Sequence, residues 1–562
     1  MRFIVQNYLA HLKERDELDA ILPDLLRAMG LQIVKLAFRG EVEHGVDIAA
    51  VGQEKGETVL YLIAVKPGDI DKQMWDAGPN SIRPTLNNLL DVPFEDLTQP
   101  RLQQAGKKTV LVHNGFLREN IRDRVNGYID KTFRPHMAFD RWDLDTLTDR
   151  FYEHLLNERI LPKEYQRLLK RTLVFLDVPD YDLSDLKQLV QEFLPDVKRL
   201  RKPQRNRVFG FIRLILTMIR KQCQDQALEN LSPAVIAYEY ALLSVWGWMW
   251  RNNFFGKPVI EEFARTYLQY IDVLNEWANK VSPAVNVPDG LSFGGTFECV
   301  EYPMRTFRVI GNLGLLATAL AYMPNSEFTQ QQLRQTIELL INAIQNNRSR
   351  HRPLLDNHSI DIFLGLWPLL LTGHTDFVKW WLRDILEHLA IRNQLLGRLP
   401  ELRNNIDAVI EYEATDKRPV GYVDSSSMLI YMLFELCLLL NAEELYLNYR
   451  AMSEDVNFQV WYPPENAEEI LYSREVFEGD TEVIHGLPAS FEEFRLGVQA
   501  RHQFDRMDYS PIIKGLPLIL LLANKHFRTP VFPLWWRKPI FSCPSEVEAE
   551  ELEESVAAEA AS

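Results

Sequence analysis

An aspartate and a lysine stand on two neighbouring segments that have the pattern of β-strands. Asp47 lies in a Gly-Val-Asp-Ile run, and Lys66 ends an apolar run. The turn 53–57 predicts an antiparallel hairpin that brings Asp47 beside the end of the second strand. Side chains alternate along a strand, so Ala64 and Lys66 share a face to which Asp47 can also point. A carboxylate and an amine at one sheet edge suit metal-assisted phosphodiester hydrolysis, in which the carboxylate holds a divalent cation and the amine neutralises developing charge.

The elements that position this pair alternate between helix and strand over residues 1–160. Apolar residues at three- and four-residue steps predict a first helix, which Gly30 ends. The order of helix, three strands, helical insert, strand, helix, strand and helix is typical of an α/β domain with a mixed sheet. The predicted elements are a helix at 18–29, strands at 31–38, 46–51 and 59–66, a loop or short-helix insertion at 78–100, a strand at 109–113, a helix at 117–129, a strand at 137–140 and a helix at 143–156.

Three short motifs in this region have the order and spacing of a known nuclease family. Asp19 stands eleven residues before Gly30, residues 45–48 read Gly-Val-Asp-Ile, and residues 64–66 read Ala-Val-Lys. Over residues 15–156 the chain resembles the restriction-endonuclease-like PD-(D/E)XK nucleases, particularly their Mrr-like branch. That family has an acidic residue on its first helix, a Gly-x-Asp-Ile strand and a Glu- or Gln-x-Lys strand.

The resemblance implies a restriction-endonuclease-like fold and a metal-dependent nuclease site. Asp19, Asp47 and Lys66 are its implied catalytic residues. Asp47, Asp19 and the carbonyl group of Val65 are the implied ligands of Mg²⁺ or Mn²⁺. In this sequence Ala64 occupies the place of the family's Glu or Gln, so its side chain supplies no oxygen to the metal.

Two readings of Ala64 remain open from the sequence. In one, a carboxylate of Glu43, Asp69 or Asp71 supplies the missing oxygen, and the site cleaves nucleic acid. In the other, the domain has lost catalysis and binds nucleic acid or a partner protein. His113, at the end of a predicted strand, is either a phosphate contact or a satisfied polar residue, and the latter is the more common role.

The remainder of the chain has helical periodicity. We place the boundary near Pro162 and expect a large irregular α-helical domain over 161–545, as one or two subdomains, because no fixed repeat period is found. Residues 546–562 contain seven Glu and no Lys or Arg. Such a segment has few apolar side chains to bury, so we expect a disordered acidic tail.

Two basic runs interrupt this acidic chain. The first, residues 198–207, contains six cations in ten residues. It is either a phosphate-binding patch or the solvated start of a helix. The second and smaller run, residues 348–352, has the same two interpretations. The nucleic-acid-binding candidates are all in the first run: Lys198, Arg199, Arg201, Lys202 and Arg205.

Composition restricts the class of protein. The 562 residues carry 62 Lys plus Arg against 78 Asp plus Glu, a formal charge of −16. This excludes a uniformly basic nucleic-acid sleeve. The four cysteines have no metal-binding spacing, the N-terminal residues have no signal-peptide pattern, and no apolar run is long enough to span a membrane. We therefore expect a cytoplasmic protein.

The leading hypothesis is a metal-dependent nuclease that acts on DNA, with RNA as the alternative substrate. The resemblance implies a role in prokaryotic anti-phage defence or restriction, with a helical sensing or assembly domain. Nucleotide-binding motifs are missing, so regulation would come from the helical region or from a separate ATPase or other defence-system subunit. The sequence leaves the oligomeric state open, a homo-oligomer included. The rival hypotheses are a catalytically degenerate nucleic-acid-binding or docking subunit and a helical scaffold.

Overall fold

The protein is described by a computed structural model. The described residues are 2–12, 18–36, 46–54, 56–78, 81–91, 105–134, 137–154, 163–176, 178, 183–197, 199–225, 231–324, 326–454, 456–461, 481–502 and 517–527. By its internal contacts the chain divides into two compact units. The first unit is Met1–Ser244 with Phe254–Thr266, and the second is Val245–Asn253 with Tyr267–Ser562.

The α/β part of the first unit runs as the sequence pattern predicts, with one additional helix at its start. Its elements are α1 (Arg2–Leu9), α2 (Asp19–Ala28), β1 (Gln32–Leu36), β2 (Ile48–Glu54), β3 (Glu57–Lys66), α3 (Lys72–Asp76), α4 (Ile82–Asp91), β4 (Gly106–His113), a 3₁₀ turn (Glu119–Ile121), α5 (Arg122–Tyr128), a π-helical turn (Ile129–Phe133), β5 (Ala138–Trp142) and α6 (Leu144–His154).

The five strands form one mixed sheet in the order β1-β2-β3-β4-β5. β1, β2 and β3 pair antiparallel, whereas β3, β4 and β5 pair parallel. Parallel neighbours need a crossover, and α3 with α4 supplies it between β3 and β4, while α5 supplies it between β4 and β5. The predicted mixed sheet is therefore confirmed.

Both faces of the central strands are buried. On one face Leu62, Ala64 and Leu111 join an apolar cluster with residues of α3, α4 and α5, including Trp75. The opposite face carries alternate residues such as Val65, which is equally buried. α2 packs against β1 and α6, and α1 packs against α6. Near-continuous apolar strands are what a parallel sheet covered on both sides requires.

Helices dominate the chain after residue 162. They are α7 (Lys163–Phe175), α8 (Ser184–Phe193), α9 (Lys202–Asp225), α10 (Ser232–Arg251), α11 (Lys257–Val285), α12 (Glu298–Ala321), α13 (Glu327–Gln345), a 3₁₀ turn (Arg348–His351), α14 (His358–Leu371), α15 (Thr375–Leu396), α16 (Ile406–Thr415), α17 (Met428–Leu439), α18 (Glu443–Tyr449), a 3₁₀ turn (Arg450–Ser453), α19 (Phe491–His502) and α20 (Pro517–Phe527). Two strands, β6 (Asn457–Trp461) and β7 (Thr481–His485), form an antiparallel pair.

α12 lies at the centre of the second unit. It packs against α13, α14, α16 and α20. Its approach to α14 depends on Gly314, because a Cβ atom there would lie 2.1 Å from the carbonyl oxygen of Leu364. A larger residue at position 314 would force the two helices apart.

Two features differ from the sequence-based expectation. The pattern did not predict α1, although Val5, Tyr8, Leu9 and Leu12 have helical spacing and are buried. It also predicted an α-helical domain over 161–545 without naming a strand there, whereas β6 and β7 pair in this region. The predicted boundary at Pro162 and the predicted tail at 546–562 lie outside the described residues. Among the described helices, none has the length and apolarity needed to span a membrane.

Candidate functional site

The sheet brings Asp47 and the end of β3 together. Ile48 pairs with Ile63 in the antiparallel ladder, so Asp47 lies one step before the register begins. Its backbone N–H donates to the carbonyl of Ile63 at 2.9 Å, and its Oδ2 accepts from the backbone N–H of Val65 at 2.6 Å. We call Asp47 with residues 64–66 the strand junction. The hairpin that the sequence predicted is the direct cause of this contact.

Within the strand junction, Ala64 and Lys66 have different surroundings. Ala64 is fully buried in the apolar cluster on the α3–α5 side of the sheet. Lys66 shares its face by strand alternation but lies at the end of β3 and is half-buried, where it pairs in register with His113 of β4. Lys66 therefore lies at the rim of the sheet, while position 64 faces hydrocarbon.

The carboxylates proposed to compensate for Ala64 have other partners. Oδ1 of Asp69 accepts from the N–H of Phe116 at 2.8 Å, and its Oδ2 pairs with Arg118 at 2.6 Å. Oδ1 of Asp71 accepts from the N–H of Met74 at 2.8 Å and caps α3. Both aspartates thus order the loops that follow the strands. Glu43 lies outside the described residues.

Asp19 is the first residue of α2, in the helix that the sequence predicted. The contacts that position this helix are with β1 and α6. Asp19 is half-buried. Its role as a metal ligand beside Asp47 stays a prediction from the resemblance.

The loops beyond Lys66 and His113 are bonded to each other. The side-chain oxygen of Asn114 accepts from the N–H of Gly68 at 2.7 Å. The Asn114 amide group donates to the carbonyls of Leu9 and Leu12, each at 2.8 Å. One buried side chain thereby connects the end of α1 to the loop after β3. The sequence did not single out Asn114, because its partners are about 46 and 100 residues away.

His113 is completely buried beside this loop. Its Nδ1 lies 3.3 Å from the carbonyl oxygen of Gly68, and its Nε2 has no hydrogen-bond partner within the described ranges. Burial lowers the pKa of His113 to about 4, so the ring is neutral at pH 7. This geometry agrees with a structural histidine rather than a phosphate contact, the more common of the two roles considered above.

The first basic run meets solvent at the start of α9. Arg199, Arg201 and Lys202 are exposed, whereas Arg205 is half-buried. The three exposed cations have no carboxylate partner in the part of the chain that the structure describes. Lys198 lies outside that part. Three of the five predicted nucleic-acid contacts are therefore accessible to a phosphate backbone.

The strand junction offers a small set of oxygen donors to a cation. No group of three or more His, Cys, Asp or Glu residues is gathered for metal binding within the described ranges. At the strand junction the set consists of the Asp47 carboxylate and the Val65 carbonyl. Magnesium keeps several waters and is commonly held through one or two carboxylates, so this donor set fits Mg²⁺ more readily than an ion that needs a complete protein shell.

Comparison of the chain with protein-family models, with curated proteins and with solved structures gives no match. Functional inference therefore rests on the geometry of the chain and on its sequence motifs.

Proposed function

We propose that the α/β region is a metal-dependent nuclease that acts on DNA at the strand junction. The observation that carries this proposal is the bond from the Val65 N–H to the Asp47 carboxylate, at the edge where Lys66 ends β3. A preceding helix, three antiparallel strands and two parallel crossovers frame this pair in the arrangement expected of the family that the sequence resembles.

Each group has a chemical role in this proposal. The Asp47 carboxylate and the Val65 carbonyl would hold Mg²⁺ or Mn²⁺, with Asp19 as a further ligand. A divalent ion held there would supply a coordinated water of lowered pKa and would offset phosphate charge. The Lys66 ammonium, at the rim of the sheet, would stabilise the negative charge that develops on the phosphate.

The first basic run would bind the DNA backbone. Arg199, Arg201 and Lys202 can neutralise phosphates without reading sequence, and such contacts weaken as salt rises. DNA is proposed as the substrate on the resemblance. We extend the proposal to a cytoplasmic role in anti-phage defence or restriction, in which the helical region senses or assembles and a separate ATPase or defence-system subunit regulates cleavage.

A second function is favoured by the burial of Ala64. A family glutamate at this position would place a carboxylate within an apolar cluster, where an unpaired charge is strongly disfavoured. The packing around position 64 therefore suits alanine. This observation supports a degenerate nuclease fold that binds nucleic acid or a partner without cleaving.

Plasmid cleavage in Mg²⁺ or Mn²⁺ separates the two functions. For a nuclease, Asp47→Asn and Lys66→Met should each lower the cleavage rate by about 100-fold or more. Matched controls are Glu57→Gln, at the exposed opposite end of β3, and Lys107→Met, on the exposed start of β4. Both controls should cleave like the wild type.

The remaining outcomes decide between the alternatives. Salt-dependent DNA binding without cleavage, in the wild type and with either metal, would favour the degenerate domain. Cleavage that survives both Asp47→Asn and Lys66→Met would show that the strand junction is not the active site. Absence of both cleavage and DNA binding would contradict the nuclease and would restrict the degenerate domain to binding a partner.

A further inference from the structure

The second basic run of the sequence lies within a dense group of charges in the second unit. Arg350 and His351 both contact the Asp384 carboxylate of α15, at 2.8 and 3.2 Å. The next residue, Arg352, pairs with Glu413 of α16 at 2.5 Å. From Arg350 to Arg352 this run is therefore not a solvated loop. It contributes cations to a site shared by α15 and α16.

Three guanidinium groups converge on the single carboxylate of Glu413. Besides Arg352, Arg392 contacts it at 2.6 Å, and Arg398 lies 3.9 Å from it. Arg398 also pairs with Asp416 at 2.9 Å, but that aspartate side chain is 87 % exposed, so solvent screens the pair. We call Arg352, Arg392, Arg398, Glu413 and the adjacent His388 the arginine cluster.

The arginine cluster has buried N–H groups without acceptors. Nε of Arg352, Nε of Arg398 and Nε2 of His388 are shielded from solvent and lack a hydrogen-bond partner among the described residues. The Arg398 residue is only 4 % exposed. Buried donors are nearly always satisfied by protein, water or an ion, so donors of this kind indicate a missing acceptor.

The surroundings of His388 are electropositive. Burial is the largest cause that lowers the pKa of this histidine to about 4; the neighbouring His351, Arg392 and Arg352 lower it further, and Asp384 opposes them. A neutral imidazole at pH 7 can still donate one N–H.

We propose that the arginine cluster is a binding site for a phosphate group, with Arg352, Arg398 and His388 as donors. Guanidinium forks match the oxygens of phosphate, and three cations around one buried carboxylate leave positive charge for a second anion. The Arg352 side chain is 27 % exposed, which leaves the site open to solvent on that side. The site is independent of the nuclease proposal, because all of its residues lie in the second unit.

The phosphate group could belong to free phosphate or to a nucleotide, and titration of the full-length chain distinguishes the two. We would measure binding by calorimetry and the melting temperature in inorganic phosphate, in AMP and in chloride at equal ionic strength. Phosphate should raise the melting temperature above the chloride value, since a ligand that binds only the folded state stabilises it. Tighter binding of AMP than of phosphate would identify a nucleotide site, and binding of phosphate alone would identify a free-anion site.

Charge-conserving variants locate the site. Arg352→Lys removes the planar fork at a partly exposed position and should weaken phosphate binding by about tenfold or more. Arg398→Lys tests the buried donor in the same way. Arg383→Lys is the matched control, because Arg383 is exposed on α15 and makes no ion pair with a carboxylate in the described part of the chain. It should bind like the wild type.

A further variant tests the site if Arg398→Lys does not fold. Glu413→Gln removes the internal carboxylate, so it should lower the melting temperature in chloride and raise phosphate affinity by about tenfold. Added phosphate should restore its melting temperature. Equal effects of phosphate and chloride on the wild type would overturn the proposal, as would phosphate binding that is unchanged in both Arg352→Lys and Arg398→Lys.

Discussion

The two basic runs look alike in the sequence and differ in the fold. In the first, Arg199, Arg201 and Lys202 are exposed and have no carboxylate partner in the described chain. In the second, Arg350 and Arg352 are paired with carboxylates of α15 and α16. The partners lie 34 and 61 residues further along the chain, where no local pattern connects them. A run of cations therefore defines a charge, while its tertiary partners decide whether that charge faces solvent alone or joins a network of carboxylates.

The difference between the two basic runs should have its largest effect on the free energy of unfolding. Glu413→Ala leaves three guanidinium groups without their shared carboxylate, and removal of one partner from a buried ion pair typically costs about 3–5 kcal/mol. We expect a loss of that size in the free energy of unfolding, measured by denaturant titration in chloride buffer.

The matched comparison is the triple variant Arg199→Ala, Arg201→Ala and Lys202→Ala. Its residues are exposed, so each change should alter the unfolding free energy by no more than about 0.5 kcal/mol. Equal losses in the two variants would contradict the distinction between a buried network and a solvated patch.

Asn114 is an uncharged side chain whose role also depends on partners that are distant in sequence. Asn114→Ala removes a donor to the carbonyls of Leu9 and Leu12 and the acceptor of the Gly68 N–H. Because these backbone groups lose buried partners, we expect a loss of about 3 kcal/mol in unfolding free energy. The control is Asn87→Ala, since that side chain makes an exposed bond to Tyr128. A loss below about 1 kcal/mol for Asn114→Ala would show that water replaces these bonds.

Acidic pH should destabilise the first unit through His113. Its pKa is about 4 in the folded chain and about 6.5 when unfolded, so the stabilisation is complete above pH 6.5 and is lost as the pH falls toward 4. Between pH 7 and pH 5 we expect a loss of about 2 kcal/mol from this residue. His113→Gln should flatten the stability profile over that range, whereas His154→Gln, at the end of α6, should not. An unchanged profile in His113→Gln would contradict the assignment.

Local and short-range patterns account for what the sequence predicted. The sheet followed from alternating segments, and the Asp47–Val65 contact followed from a hairpin whose two strands are joined by a short turn. α4 was anticipated only as a loop or short-helix insertion. The pairing of β6 with β7, the role of Asn114 and the arginine cluster depend on residues far apart in sequence. No periodicity records such pairings, which is why they emerged only from the fold.

The smallest expected effect concerns DNA binding by the first basic run. In the triple variant of Arg199, Arg201 and Lys202, three phosphate contacts are removed, each of which contributes about 0.9 to the slope of log K against log salt. We expect a slope reduced by up to about 3 and an affinity reduced by about tenfold at moderate salt, to similar extents for unrelated DNA sequences. Fluorescence anisotropy with two unrelated duplexes over a salt series measures both quantities.

The variant Arg348→Ala is the control from the second run. Arg348 is bound to Asp289 at 2.6 Å, so its replacement should leave the slope unchanged. If the triple variant keeps the wild-type slope, the exposed cations do not contact DNA. If Arg348→Ala reduces the slope equally, pairing with a carboxylate does not separate the two runs in function.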